Sequence, residues 1–151
     1  MKLNKKKVLN LILLVIWFGF IFYMSSKTAD ASTKDSDFVI NLLNSLGINL
    51  SGEFGEFASV IVRKCAHLTE YMIVCMLLYN VLSDYMKVTK KIYIYSVLGV
   101  FLYACSDELH QQFVLGRAGR FTDVMIDTSG GIIGALVIMF YNKMKSKKIY
   151  R

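Results

Sequence analysis

The chain has 151 residues, 55% of them hydrophobic, and a mean hydropathy of +0.46. That composition excludes an ordinary soluble domain, and the length leaves room for one membrane domain, residues 1–151, with no separate soluble module. The net charge of +7 does not form a nucleic-acid stripe, because the basic residues cluster beside apolar segments. The clusters are Lys2, Lys5, Lys6 and Lys7; Lys87, Lys90 and Lys91; and Lys143, Lys145, Lys147, Lys148 and Arg151. In that position they read as topology determinants and contacts to anionic membrane lipid, not as a nucleic-acid surface.

A helix needs about 20 residues to cross a bilayer. Residues 8–24 supply the first span. The apolar run is longer than a signal-peptide core and Met24-Ser25-Ser26 is a poor cleavage site, so a retained helix is expected. In the next outer loop Phe38, Val39, Leu42, Leu43 and Leu46 recur at helical spacing, which predicts a short amphipathic helix at the membrane interface, ended or interrupted by Gly47 and Ser51-Gly52.

The second apolar run, 72–82, is too short to span. Its helix must cover 60–82 and draw in Arg63, Lys64, His67, Glu70 and Tyr71. The third must likewise cover 92–112, with Asp107, Glu108, His110, Gln111 and Gln112 at its end, and the fourth covers 123–141. The expected fold class is all-α, an integral membrane bundle of four transmembrane helices. Four spans bring all basic clusters to one side, which the positive-inside rule makes cytoplasmic. Both termini are then cytoplasmic, in the cell membrane, and the polar motifs lie at the extracytoplasmic face. Cys65, Cys75 and Cys105 read as small packing residues, although a Cys65–Cys105 disulfide is conceivable.

Ionisable groups at membrane depth cost roughly 2.5–3.5 kcal/mol each and usually face a bundle interior or wet cavity. On a helical wheel Arg63, His67 and Glu70 share one sector, flanked by Lys64 and Tyr71. His67 and Glu70, three residues apart, are close enough to share a proton or a metal. A network that only fixes packing is the alternative. Asp107, His110 and Gln111 share a face of the third span, with Glu108 to one side. Two carboxylates near a histidine suit a divalent cation, or an acid and a base with separated pKa values. Hydrated charges at a helix end would give the same pattern, and there is no H-E-x-x-H and no zinc-type cysteine spacing.

Arg117 and Arg120 bring two guanidinium groups on a glycine-containing loop, suited to lipid phosphates; pairing with Asp107, Glu108 or Asp123 is the alternative. In the fourth span Asp123, Asp127, Gly130 and Gly134 form one stripe. The glycines read as a close-packing seam and Asp123 as a site residue or an N-cap. Asp127 is one turn deeper. Ser25 and Ser26 read first as a helix end whose hydroxyls bond to free carbonyls.

In this order, the Ser25-Ser26 pair, Arg63-Lys64-x-x-His67-x-x-Glu70-Tyr71, Ser106-Asp107-Glu108-x-His110-Gln111, Gly116-Arg117-x-x-Arg120-x-x-Asp123 and the helix through Gly130 and Gly134 resemble the VanZ family of small bacterial membrane proteins. Asp127 departs from that pattern, where asparagine is expected, and adds an acidic group near the site. The resemblance brings Ser25 and Ser26 into the candidate site. It implies an association with resistance to teicoplanin-type glycopeptides, which act on lipid-linked precursors at the outer leaflet. It specifies no reaction, cofactor or oligomeric state.

The function expected is binding or modification of an anionic lipid or lipid-linked cell-envelope molecule. In an enzymatic version His67 with Glu70 serves as base, Asp107 or Glu108 as acid or cation ligand, and Arg63, Arg117 and Arg120 hold the anion. Lys64, Tyr71, His110, Gln111, Asp123, Ser25 and Ser26 complete the binding set. A non-enzymatic shielding protein, or a subunit of a membrane assembly, is the alternative. An ion-coupled carrier is disfavoured, since the polar groups occupy one half of the membrane only.

Overall fold

The computed structural model describes residues 4–149; Lys2 and Arg151, and the side chains of Lys147 and Lys148, lie outside what it describes. Six α-helices follow one another: α1 Lys5–Ser25, α2 Ala29–Ser45, α3 Leu50–Phe54, α4 Ala58–Ser83, α5 Lys90–Gln111 and α6 Phe121–Ile149, with a 3-10 turn at Gly55–Phe57. No strand occurs among the described residues. Four helical runs are long and apolar enough to cross a membrane: α1, Leu50–Ser83, α5 and Phe121–Ser146. Their large apolar side chains point outward, including Leu9, Ile12 and Ile16 of α1, Leu98 and Leu102 of α5 and Leu136 of α6. Such a belt is untenable in water and is what a lipid-facing surface requires. The chain is a multi-pass membrane protein.

The core is thin and built of small and medium side chains: Ile21, Val74, Cys75, Val100, Ala104 and Val124, with Tyr71 wholly buried among them. Without a hydrophobic driving force between helices, close backbone approach has to hold a membrane bundle together. Adjacent glycines of α6 do this on two sides. A Cβ at Gly130 would collide with the Leu68 carbonyl of α4, and one at Gly131 would meet the Val100 side chain of α5 at 2.7 Å. Gly134 repeats the α4 contact one turn on, against Met72. The G-x-x-x-G stripe is therefore the α4–α6 seam. Two polar clasps add α1 to the bundle: Trp17 Nε1 donates to the Glu70 carbonyl at 3.0 Å and Tyr103 Oη donates to the Phe18 carbonyl at 2.8 Å.

The helix of the first long loop starts at Ala29, not near Phe38, because Thr28 caps it: Thr28 Oγ1 accepts from the Ala31 amide. This longer α2 packs Ser32, Ser36 and Ile40 inward and leaves Phe38, Leu42 and Leu46 exposed, as an interfacial helix would. Gly47, at φ +90°, ends its path. Helix α6 begins at Phe121, so Asp123 lies inside the first turn and is not the N-cap. The three cysteines are free, with Cys65 exposed, so the Cys65–Cys105 bridge is absent.

Candidate functional site

Each polar motif occupies the end of its helix away from the basic clusters, and α4, α5 and α6 bring the motifs together. Two cavities open there, of about 260 Å³ and 120 Å³, and Arg63, His67 and Arg117 line both. The larger is bordered by Lys64, Glu108, Gln111, Arg120, Asp123 and Asp127, and the smaller by Ser25, Ser32, Ser36 and Glu70.

The mouth is made by the loop between α5 and α6. Gly116 turns it at φ +75°, a conformation open to glycine at little cost. Gly119 then lies against the end of α5, where a Cβ would strike the Glu108 carbonyl. That close approach lets the Arg120 amide donate to Glu108 Oε2 at 2.8 Å. The loop is also tied to the start of α2, since the Ala29 amide donates to the Leu115 carbonyl at 3.3 Å. Arg117 is held twice: its Nε donates to the Lys27 carbonyl at 3.1 Å and its Nη1 to Gln111 Oε1 at 3.1 Å. Gln111 Nε2 in turn donates to Asp107 Oδ2 at 3.2 Å. A polar relay thus runs from the loop to a carboxylate deep between the helices.

Arg63 Nη2 donates to Thr33 Oγ1 at 2.9 Å, while its Nε is buried without a partner. Lys64 reaches Asp123 at 2.6 Å. Among the described residues, no carboxylate lies within 4.0 Å of the guanidinium of Arg63, Arg117 or Arg120. The pairing of Arg117 and Arg120 with Asp107, Glu108 or Asp123 is therefore not formed. Burial, and then the nearby Arg63 cation, hold Arg117 below the ordinary arginine value.

The floor is acidic. His67 Nδ1 and Asp127 Oδ1 are 3.4 Å apart, within ion-pair range but not aligned as a hydrogen bond. Asp127 is 0% exposed and, among the described residues, neither of its carboxylate oxygens has a hydrogen-bond partner. One ligand-type atom each from His67, Asp107 and Asp127 lie within 4.8 Å of one another. Ser25 Oγ and Tyr71 Oη are also buried without partners. Orphaned buried polar atoms are rare in folded proteins, and a cluster of them needs a reason.

The candidate residues separate as follows. Arg63, Lys64, His67, Glu108, Gln111, Arg117, Arg120 and Asp123 meet at the larger cavity, and Ser25 and Glu70 at the smaller. Asp107 and Tyr71 are buried against the floor. His110 does not join them: its Nε2 is 3.1 Å from Ser26 Oγ and its ring lies 4.6 Å from Phe22, on the outer side of the α1–α5 contact. The adjacent serines diverge. Ser26 Oγ donates to the Phe22 carbonyl at 2.7 Å, as expected of a helix end, whereas Ser25 turns inward without a partner. Asp127, noted in the sequence as an acidic group near the site but not counted in the binding or catalytic set, stands at the centre of the floor. Its signal was a carboxylate one turn beyond Asp123 on the stripe that carries Gly130. Thr33 had no sequence signal beyond the Thr28 cap that starts its helix.

Neither the curated proteins nor the solved structures compared with the chain give a significant match. The VanZ/LLP1 family pattern matches residues 10–142, which include every motif that forms the two cavities. The chain belongs to the VanZ/LLP1 family.

Proposed function

We propose that this protein binds an anionic lipid or lipid-linked cell-envelope molecule in the paired cavities, with the headgroup phosphate held by Arg63, Arg117 and Arg120. The observation that carries this reading is the three guanidinium groups without carboxylate partners at the mouth of a cavity inside a membrane bundle. Two arginines lining the same cavities repel each other unless an anion comes between them, and a guanidinium fork fits a phosphate bidentately. The basic clusters at the opposite end support an extracytoplasmic opening, with both ends of this chain cytoplasmic. Lipid-linked precursors, the targets of teicoplanin-type glycopeptides, would be reached from that side. The family's tie to resistance therefore supplies the phenotype to measure. A second reading, chemical modification of the bound molecule, draws support from His67 beside Asp127 and Asp107 at the cavity floor.

The test uses protein purified in nanodiscs of mixed lipid, with retained lipid identified by native mass spectrometry. Wild type should retain anionic over zwitterionic lipid, and Arg117→Gln should weaken that preference by about ten- to a hundredfold, as expected for loss of a charge-assisted contact of roughly 1.5–3 kcal/mol. Equal retention of both lipid classes by wild type would overturn the reading.

A further inference from the structure

We propose that His67, Asp107 and Asp127 form a site for one divalent transition-metal ion, of the Zn²⁺ or Mn²⁺ class, at the floor of the larger cavity. The inference deepens the lipid-binding reading and rests on it for the ion's role, although not for its existence.

Three observations lead to the site. The first is composition and reach: one imidazole and two carboxylates, from α4, α5 and α6, present ligand atoms within 4.8 Å of one another. Two ligands each about 2.1 Å from a tetrahedral ion stand about 3.4 Å apart, and His67 Nδ1 and Asp127 Oδ1 are 3.4 Å apart. The second is orphaning: Asp127 is fully buried, and neither of its oxygens nor His67 Nδ1 has a hydrogen-bond partner. A buried carboxylate in that condition is strongly unfavourable unless a cation or a proton neutralises it. The third is charge. Among the described residues, no lysine or arginine nitrogen lies within 4.0 Å of an Asp107 or Asp127 carboxylate oxygen, and Lys64 is paired with Asp123. A neutral imidazole and two carboxylates carry a charge of −2, which a divalent ion cancels.

The donor set selects the class of ion. Imidazole with carboxylates suits zinc, manganese or iron, whereas magnesium prefers all-oxygen octahedra with several waters. Three protein ligands leave a coordination position free. Since His67 and Asp127 both line the cavity, that position is available to an oxygen of the anionic headgroup which Arg63 and Arg117 hold at the mouth. Asp107 joins the ion to the mouth through Gln111 and Arg117.

The experiment uses the full chain in nanodiscs, stripped with chelator, then titrated with Mn²⁺ and read by electron paramagnetic resonance, with Zn²⁺ or Mg²⁺ as competitor. Wild type should bind about one Mn²⁺ per chain, displaced by Zn²⁺ at concentrations at least about a hundredfold below those of Mg²⁺. Asp107→Asn and Asp127→Asn should each weaken binding tenfold or more, as loss of a ligand requires. Asp84→Asn, a carboxylate at the other end of the bundle, should bind as wild type does. Failure of wild type to bind Mn²⁺ or Zn²⁺, or equal binding by Asp127→Asn, overturns the site; the wild-type titration decides even if a variant does not fold. Lipid retention in the same samples separates the two readings. Ion uptake without anionic-lipid preference leaves the metal site standing and removes the lipid reading, and lipid preference without ion uptake does the reverse.

Discussion

The two ends of this bundle both contain polar side chains at membrane depth, and they treat them in opposite ways. At the basic end, Asn142 Nδ2 donates to Tyr79 Oη at 2.8 Å and lies 3.0 Å from Tyr93 Oη, while the two tyrosine rings stack with centroids 5.3 Å apart. Asn10 Nδ2 donates to Asp84 Oδ2 at 2.7 Å, and Lys7 sits over the Tyr85 ring. Each group has a partner, so this network acts as a fastener between helices. At the other end, Ser25 Oγ, Arg63 Nε, Tyr71 Oη and both Asp127 oxygens are buried with none. Polar groups that serve packing are satisfied, because an unsatisfied one is costly in a low dielectric. Under the proposed function, the groups left unsatisfied in a bundle that satisfies others are the ones that meet the ligand, at a cost in stability that functional sites commonly carry.

The largest effect should come from breaking what the two ends share. Gly130 holds α4 and α6 together between them, and any side chain there meets the Leu68 backbone, which has no flexible end to move. Gly130→Val should destabilise the protein by about 3 kcal/mol, at the upper end of overpacking costs. The measurement is the fraction of monodisperse protein recovered in detergent and its thermal midpoint. If Gly130→Val behaves as wild type, the α4–α6 seam is not where the structure has it, and the floor of the site loses its geometry.

An intermediate effect, opposite in sign at the two ends, sharpens the contrast. Asn142→Leu removes both bonds to the tyrosine hydroxyls and should cost about 1 kcal/mol, the usual size of an interhelical hydrogen bond in a membrane. Asp127→Asn replaces an unpartnered buried carboxylate by a neutral amide of the same shape. In chelator-treated protein it should leave stability unchanged or raise it by up to about 2 kcal/mol, as removal of a buried carboxylate that accepts no hydrogen bond does. Thermal unfolding of the two variants in one detergent, with and without Mn²⁺, reads both. A loss of stability in Asp127→Asn as large as that in Asn142→Leu would mean that the carboxylate is part of the fastening, and the contrast would fail.

Much of the frame was legible in the sequence because it follows from length. The apolar run 72–82 cannot cross a bilayer alone, so Arg63 through Tyr71 had to be inside a helix, and helix α4 does begin at Ala58. The shared face of Arg63, His67 and Glu70 followed from helical periodicity within one element. What was not legible depends on how one helix meets another. His67 was assigned Glu70 as its neighbour from spacing along α4, yet the carboxylate closest to its Nδ1 comes from α6, in a register set by Gly130 against Leu68. His110 was grouped with Asp107 and Gln111. However, it is three residues on from Asp107, whereas Gln111 is four, and that difference turns its ring to Ser26 and Phe22 while Gln111 stays on Asp107. Thr33 reaches Arg63 because α2 folds back over α4, and nothing in the local pattern of residues 25–62 dictates that return.

The smallest effect tests whether satisfaction by a partner is what divides the two ends. Lys64 and Arg63 are neighbours on α4 and both line the larger cavity. Lys64 has a carboxylate partner, Asp123 at 2.6 Å, but the pair is partly exposed, with side-chain exposures of 44% and 30%. An ion pair in that setting is screened and contributes about 0.5 kcal/mol or less. Lys64→Ala should therefore leave the thermal midpoint nearly unchanged and shift anionic-lipid retention less than Arg63→Ala does, since Arg63 has no carboxylate to compete with an incoming phosphate. Native mass spectrometry of the two variants side by side, at low and high salt, makes the comparison. If Lys64→Ala costs as much lipid as Arg63→Ala, a partnered cation serves the anion as well as an unpartnered one. The absence of partners would then no longer mark the residues that meet the ligand.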